Sequence, residues 1–207
     1  MFAGRRSLAA ILLALLAGCS LPPVDLEGEK ALPLRSTVYA ADGTRLARLY
    51  RQNRSLVDLE AMPEELIDAV LAAEDARFYE HRGYDLRAIA RAALVNLREG
   101  QVEQGGSTIT QQYVKNTYFR HPSRTFERKA RELRLAIEVE RRYSKDEILE
   151  RYLNAVYFGA GAYGVKAAAE TYFRHGVAEL TLAESALLAA LIKAPSLYDA
   201  LDHPDRA

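Results

Sequence analysis

Apolar residues recur at helical spacing over most of the chain. After Pro63, one such set is formed by Leu66, Ile67, Val70 and Leu71, which fall on a single helix face. Proline suits the first turn of a helix, because the N–H that it lacks would have no intrahelical acceptor there. The pattern therefore predicts a helix that begins just after Pro63 and buries one face.

A second apolar stripe follows Asp85, a residue type that caps helix N-termini. Gly100 is the expected end of this helix, because glycine commonly follows the last helical turn. The stripe repeats at helical spacing and consists of Leu86, Ile89, Ala93, Leu94 and Leu97.

Capping signals predict further helices in the second half of the chain. Ser144 with Glu147, and Thr181 with Glu184, form capping boxes in which a hydroxyl residue is followed three positions later by glutamate. A long helix is predicted over residues 123–142. These elements indicate a mainly α fold with at least six helices.

A small β-hairpin is predicted near the start of the folded region. Two β-favouring runs within residues 36–50 flank Asp42-Gly43, a pair typical of tight turns. Residues 101–122 are polar and contain glycines, so a loop and a short helix both remain open there.

The N-terminus resembles a targeting segment. Basic Arg5 and Arg6 precede an uncharged, strongly apolar stretch. Residues 16–19, Leu-Ala-Gly-Cys, resemble a lipobox in which Cys19 would carry a lipid. The alternative is a membrane anchor, although Pro22-Pro23 interrupts the end of a span.

Either interpretation places the remaining chain outside the cytoplasm and tethers it to a membrane. We therefore expect a signal peptide or anchor over residues 1–19 and a linker over residues 20–35. A single domain should occupy residues 36–207, cut short at its C-terminus.

Charge and cysteine content exclude several classes of protein. The chain has 28 basic and 28 acidic residues, so it lacks the basic excess of a general nucleic-acid binder. Its one cysteine excludes an internal disulfide. Residues 113–134 nevertheless hold seven basic and two acidic residues, a local net charge of +5. Either a solvated helix face or an anion-binding surface could have this composition.

Glu74 extends the apolar face of the first predicted helix, since Ile67, Val70 and Leu71 lie seven, four and three positions before it. A glutamate on such a face can serve as a general base, or it can simply reach solvent at the helix end. Spacing alone leaves both interpretations open.

Five motifs follow one another in order along the chain. They are Glu-Asp with Phe78, His81 and Gly83 in residues 74–83, Gly-Gly-Ser-Thr-Ile-Thr-Gln-Gln in 105–112, Arg128-Lys129 with Glu132, Lys-Asp-Glu-Ile-Leu-Glu-Arg-Tyr-Leu-Asn in 145–154, and residues 161–173. With these motifs the chain resembles the family 51 peptidoglycan glycosyltransferases, whose domains also occur in class A penicillin-binding proteins. The resemblance covers roughly residues 37–200.

The resemblance implies a lysozyme-like helical glycosyltransferase domain that polymerises lipid II into glycan strands at the membrane. It implies Glu74 as the catalytic base and Glu132 as a second catalytic carboxylate. Glu132 could pair with nearby basic residues, orient them, or hold a divalent cation such as Mg²⁺ or Mn²⁺ against the pyrophosphate. The implied pyrophosphate contacts are Lys115, Arg124 and Lys129, and the implied substrate-lining residues are Ser107, Gln111 and Gln112.

Two alternatives are a lytic transglycosylase, which cleaves glycan, and a non-catalytic cell-wall scaffold. A cleaving enzyme has no pyrophosphate leaving group and needs no basic cluster. Ser-x-x-Lys and Lys-Thr-Gly motifs are absent from the sequence, so penicillin binding is not expected of this chain. His81 is interpreted as a loop brace, because no carboxylate at a fixed spacing indicates a catalytic partner.

The resemblance also implies a membrane-facing lobe over residues 86–122. Its apolar side chains would contact lipid, or they would pack in the core as large apolar residues usually do. The residues concerned are Leu94, Val95, Leu97, Val102, Ile109, Tyr113, Val114, Tyr118 and Phe119. Lipid II, the growing strand, the membrane and other cell-wall synthesis proteins are the expected partners, with no nucleic acid.

Overall fold

Seven α-helices make up most of the described chain, and four short strands accompany them. The computed structural model describes residues 26, 31–99, 105–119, 125–195 and 198. The helices are α1 (Glu64–Glu74), α2 (Leu86–Glu99), α3 (Ile109–Tyr118), α4 (Phe126–Arg142), α5 (Lys145–Ala155), α6 (Val165–Tyr172) and α7 (Leu182–Lys193). Short 3-10 helices lie at Leu59–Ala61, Phe78–Glu80 and Val177–Glu179. The predicted mainly α fold is confirmed.

The core lies between helices that are distant in sequence. Helix α1 packs on α7, and α3 packs on both α4 and α5. Leu66 and Val70 of α1 are fully buried, as the helical spacing predicts. Leu149 and Leu153 of α5 are also fully buried. Burial of each leucine side chain stabilises the folded state by about 1.5–3 kcal/mol.

The capping predictions are confirmed. The hydroxyls of Ser144 and Thr181 each accept a hydrogen bond from the backbone N–H of the glutamate three residues on. The carboxylate of that glutamate in turn accepts the backbone N–H of the cap residue. Asp85 likewise accepts the N–H groups of Arg87 and Ala88 at the start of α2. The long helix begins later than predicted, at Phe126, because Thr125 supplies the cap hydroxyl.

The N-terminal hairpin is confirmed as β1 (Ser36–Tyr39) paired antiparallel with β2 (Arg45–Leu49). Two shorter strands, β3 (Asn53–Arg54) and β4 (Ala162–Tyr163), form a parallel pair. Glu170 of α6 ties the hairpin to the helices: each of its oxygens lies 2.7 Å from an Arg35 nitrogen, and Arg48 lies 2.7 Å from one of them.

Two described residues of the predicted linker contact the domain. Leu26 is buried, and Leu32 packs against the core. The predicted signal peptide or anchor, including Cys19, lies outside the described residues. Within the described parts of the chain, no helix is both long enough and apolar enough to cross a membrane.

Helix α2 exposes part of its apolar stripe instead of burying it. Leu86, Ile89 and Leu94 are 67%, 43% and 52% exposed. By contrast, Ile109, Tyr113 and Val114 of α3 are at most 1% exposed. The predicted membrane-facing lobe is therefore wrong for these three α3 residues, which form part of the core.

Candidate active site

A cavity of about 600 Å³ lies where the C-terminal end of α1 meets the start of α3. The loop before α3, the first half of α2 and the end of α7 also line it. Four of the residues selected from the sequence line it together: Glu74, Ser107, Gln112 and Lys115. The first two signatures, about thirty residues apart in sequence, thus contribute to one cleft.

Glu74 is the last residue of α1, which directs its carboxylate toward α3. The Nε2 atom of Gln112 donates a hydrogen bond of 2.6 Å to Oε2 of Glu74. The other oxygen, Oε1, has no hydrogen-bond partner among the described residues. This oxygen is also shielded from solvent, so Glu74 is oriented through one oxygen and buries the other without a partner among the described residues.

Asp75 fixes the position of α3 beside Glu74. One of its oxygens accepts the backbone N–H of Ile109 at 3.0 Å, at the first turn of α3. The Nε2 atom of His81 lies 2.9 Å and 3.0 Å from the two oxygens of Asp75. The interpretation of His81 as a brace agrees with this geometry, but the sequence analysis missed its carboxylate partner, Asp75.

The structure does not bring Gln111 to the cavity. The amide oxygen of its side chain accepts the backbone N–H of Thr108, and the Thr108 hydroxyl accepts the backbone N–H of Gln111. Gln111 is 2% exposed and acts as the second half of a capping box for α3. The Thr-x-x-Gln spacing of residues 108–111 carried this signal in the sequence.

A buried acid–base cluster lies next to the cleft. Glu132 of α4 is 2% exposed, and its two oxygens pair with Arg128 and Lys129. The Nζ atom of Lys129 also donates to Oγ of Ser107 at 2.9 Å, which links the cluster to the loop that lines the cleft. The side chain of Lys129 is 45% exposed, so its charge can still reach a ligand.

The loop that carries Ser107 lies close against α2. A Cβ at Gly106 would be 3.0 Å from the Cα of Ile89, so a larger residue would push the loop away. Glycine at this position therefore permits a close backbone approach. The approach places Ser107 within reach of Lys129.

Lys115 is a cation of α3 that lines the cleft. No acidic group of the described residues lies within ion-pair distance of it. It also lines a second cavity of about 930 Å³, which shares Gln112 and Ile192 with the first. Lys115 thus stands at the junction of two adjoining cavities.

Glu132 is paired with basic side chains in the structure. Both of its oxygens already accept from basic side chains, and divalent cations prefer several oxygen ligands. In the described part of the chain, no group of three or more His, Cys, Asp or Glu residues could hold a metal ion. Arg124, the remaining predicted pyrophosphate contact, lies outside the described residues.

The family described as transglycosylase matches residues 42–207. Penicillin-binding protein 1A of Aquifex aeolicus is 48% identical over 188 residues, which cover 91% of this chain and 26% of that protein. Penicillin-binding protein 1F of Bacillus subtilis is 46% identical over 180 residues, covering 86% of this chain and 25% of that protein. This chain therefore spans about a quarter of the length of these relatives.

A solved structure of penicillin-binding protein 1A from Haemophilus influenzae is 28% identical to this chain and has a TM-score of 0.43. The similarity covers 86% of this chain and 17% of that one.

Proposed function

Because this chain belongs to the transglycosylase family, we propose that it is a peptidoglycan glycosyltransferase that polymerises lipid II into glycan strands. The observation that carries this proposal is the shared cavity of Glu74 and Lys115. An oriented carboxylate and an available cation in one cleft suit a reaction that needs both a base and an anion acceptor.

Glu74 would act as the general base. The acceptor's sugar hydroxyl is a poor nucleophile at neutral pH unless a base within hydrogen-bond reach takes its proton. The hydroxyl oxygen then bonds to the anomeric carbon of the donor, and the proton passes to Glu74. We assign the proton to the carboxylate oxygen without a partner among the described residues, which is shielded from solvent and must become accessible when the acceptor binds.

The cations would stabilise the leaving group. As the bond from the anomeric carbon to the pyrophosphate oxygen breaks, its electron pair leaves with the lipid pyrophosphate. Lys115, and Lys129 supported by Glu132, can offer charge-assisted hydrogen bonds to the phosphate oxygens. Arg124 is proposed as a further contact, with Ser107 and Gln112 beside the substrate.

The two adjoining cavities also fit this reaction. A polymerase must hold a donor and an acceptor next to each other, and bound reactants gain much of their rate from such proximity. The cavities of about 600 and 930 Å³ meet at Gln112 and Lys115, close to the proposed base.

The basic residues favour this function over a lytic transglycosylase. Glycan cleavage needs an acid or base, but it has no pyrophosphate leaving group that cations must stabilise. Lys115 and the Lys129–Glu132 pair would therefore have no function in a cleaving enzyme. A non-catalytic scaffold would not require the hydrogen bond that orients Glu74 toward the cleft. Both alternatives make the same prediction, that no polymer forms from lipid II.

We further propose that the domain works on the outer, extracytoplasmic face of the cell membrane. Its substrate carries a lipid, so the cleft must lie close to the bilayer. Residues 1–19 would provide the tether, as a lipid on Cys19 or as a membrane anchor. The exposed apolar residues of α2 would add a contact of the domain itself.

Polymerisation of labelled lipid II tests the proposal. The wild-type chain should form long glycan products, and Glu74→Gln should lower turnover by about 10²- to 10⁴-fold, the usual contribution of a general base. Glu65→Gln, an exposed position on the same helix, is the matched control and should retain activity. A wild-type chain that forms no polymer would refute the function, and near-normal turnover of Glu74→Gln would refute the base.

A further inference from the structure

Two hydrogen bonds connect Glu74 to a buried tyrosine on another helix. Tyr152 of α5 is fully buried, and its hydroxyl lies 3.2 Å from Oε1 of Gln112. The Nε2 atom of the same Gln112 side chain lies 2.6 Å from Oε2 of Glu74. The resulting chain of side chains joins α5, α3 and α1 and ends on the proposed base.

The direction of the hydrogen bonds in this chain is fixed by chemistry. Burial, together with the charges of Glu74 and Asp75, raises the pKa of Tyr152 well above its usual value of 10, so the hydroxyl keeps its proton. The Glu74 carboxylate only accepts, so it takes the NH₂ group of Gln112, and the protonated hydroxyl donates to the amide oxygen that remains. An amide carries its acceptor and its donors on opposite sides, so the NH₂ group is turned toward Glu74.

The opposite orientation of the amide would be unfavourable. Its oxygen would then face the Glu74 carboxylate, and two acceptors at hydrogen-bond distance would leave both partly buried groups without a donor. The Glu74 carboxylate, which only accepts, therefore selects the orientation, and the Tyr152 hydroxyl anchors the amide in it by donating to the amide oxygen.

We propose that Tyr152 is a positioning residue that acts through Gln112 to hold the Glu74 carboxylate in its proton-accepting orientation. The proposal rests on the function given above, and it assigns the Gln112 amide to the base. With Oε2 held by Gln112, Oε1 is the oxygen that has no hydrogen-bond partner among the described residues.

The first test is Tyr152→Phe, which removes only the hydroxyl. Small losses of orientation at a catalytic group can cost up to about 100-fold in rate, so we expect kcat to fall about tenfold. KM for lipid II should change less than about twofold, because Tyr152 is fully buried and does not contact substrate. Tyr79→Phe is the matched control: its hydroxyl bonds Asp146 near the surface, and kcat should be unchanged.

A double-mutant cycle separates positioning from a general effect on folding. Gln112→Met keeps the length of the side chain but removes both hydrogen bonds, so it should lower kcat at least as much as Tyr152→Phe does. Adding Tyr152→Phe to Gln112→Met should then cost less than about twofold, since the connection is already broken. Thermal melting of each variant gives the folded fraction by which kcat is normalised.

Three results would overturn the proposal. One is an unchanged kcat in Tyr152→Phe. Another is a double variant whose decrease in kcat equals the product of the decreases in Tyr152→Phe and Gln112→Met. The third is near-normal activity of Glu74→Gln, which would refute the base itself. An inactive Glu74→Gln with a normal Tyr152→Phe would refute the positioning role alone and leave the proposed function intact.

Discussion

The imidazole of His81 lies within hydrogen-bond distance of both carboxylate oxygens of Asp75, at 2.9 Å and 3.0 Å from its Nε2 atom. The same carboxylate accepts the N–H of Ile109, so one buried side chain connects the loop of residues 78–83 to the first turn of α3. This connection sets the distance between Glu74, which precedes Asp75, and the cleft residues carried by α3.

Replacing Asp75 should therefore destabilise the fold. Asp75→Ala leaves the Ile109 N–H and the His81 ring without their acceptor, and a buried unsatisfied group costs about 1–3 kcal/mol. We expect the free energy of unfolding to fall by about 2–3 kcal/mol, and by less in Asp75→Asn, which retains an acceptor oxygen. Urea denaturation measures the difference. Asp68→Ala, at an exposed position of α1, should cost less than about 0.5 kcal/mol. An equal decrease in the free energy of unfolding for Asp68→Ala and Asp75→Ala would contradict the structural role of Asp75.

The two lysines of the site should respond differently to substitution. Lys115→Ala should lower kcat/KM by about 10²- to 10³-fold, the effect of removing one donor to a developing anion. Its melting temperature should change little, because no acidic group of the described chain is within ion-pair distance of Lys115. Lys129→Ala should lower both activity and melting temperature, since it removes one partner of the buried Glu132.

Arg131→Ala provides the control for both lysines. It lies on α4 with Lys129, but its ion pair with Glu127 is exposed and contributes little. A Lys115→Ala variant that melts much earlier, yet is fully active per folded molecule, would instead make Lys115 a structural residue.

The helices could be predicted well because their signals are local. The capping boxes at Ser144 and Thr181, and the apolar spacing before Glu74, each depend on residues within one or two turns. The same spacing placed Glu74 on the apolar face of α1 but left open whether its side chain is buried or reaches solvent.

Contacts between distant segments could not be derived from spacing. Tyr152 and Gln112 are 40 residues apart, and Gln112 and Glu74 are 38 apart, so only the packed helices bring them together. Gln111 illustrates a local signal that was overlooked: the family motif selected it as a substrate residue, while the Thr-x-x-Gln capping pattern explains the contacts that it makes in the structure. Apolar stripes also do not specify what covers them, as the exposed stripe of α2 shows.

The exposed apolar residues of α2 should contribute to membrane binding. A chain beginning at residue 26 removes the proposed tether but keeps Leu26, which packs in the core. We expect it to bind phospholipid vesicles. Serine at Leu86, Ile89 and Leu94 together should weaken this binding at least about tenfold, because each large aliphatic side chain gains about 1.5–3 kcal/mol when fully buried.

Leu46→Ser tests whether any exposed apolar residue has this effect. Leu46 is 65% exposed on the hairpin, away from α2. Vesicle sedimentation should show normal binding for Leu46→Ser and weak binding for the triple α2 variant. Equal binding by the wild type and the triple variant would exclude α2 as the membrane contact.

The pair of His175 and Glu184 should make stability depend on pH near the start of α7. His175 Nε2 lies 3.0 Å from Glu184 Oε1, and the other Glu184 oxygen accepts from the cap residue Thr181. The backbone N–H of Thr181, followed by His175, lowers the pKa of Glu184 from 4.5 to about 2. The Gly176 carbonyl, followed by Glu184, raises the pKa of His175 above 6.5.

The two groups therefore stabilise the fold in different pH windows. The stabilisation that Glu184 contributes is complete above about pH 4.5 and is lost as the pH falls toward 2. The stabilisation that His175 contributes is complete below pH 6.5 and is lost as the pH rises through the raised pKa of the folded state. His175→Gln should lower the melting temperature between pH 4.5 and 6.5, and the difference from the wild type should shrink as the pH rises through the raised pKa of His175. Glu184→Gln should still lower it at pH 9, because the cap N–H of Thr181 favours a carboxylate at every pH at which Glu184 is ionised. Differential scanning calorimetry across this range measures both, and a His175→Gln difference that stays constant up to pH 9 would contradict the charged pair.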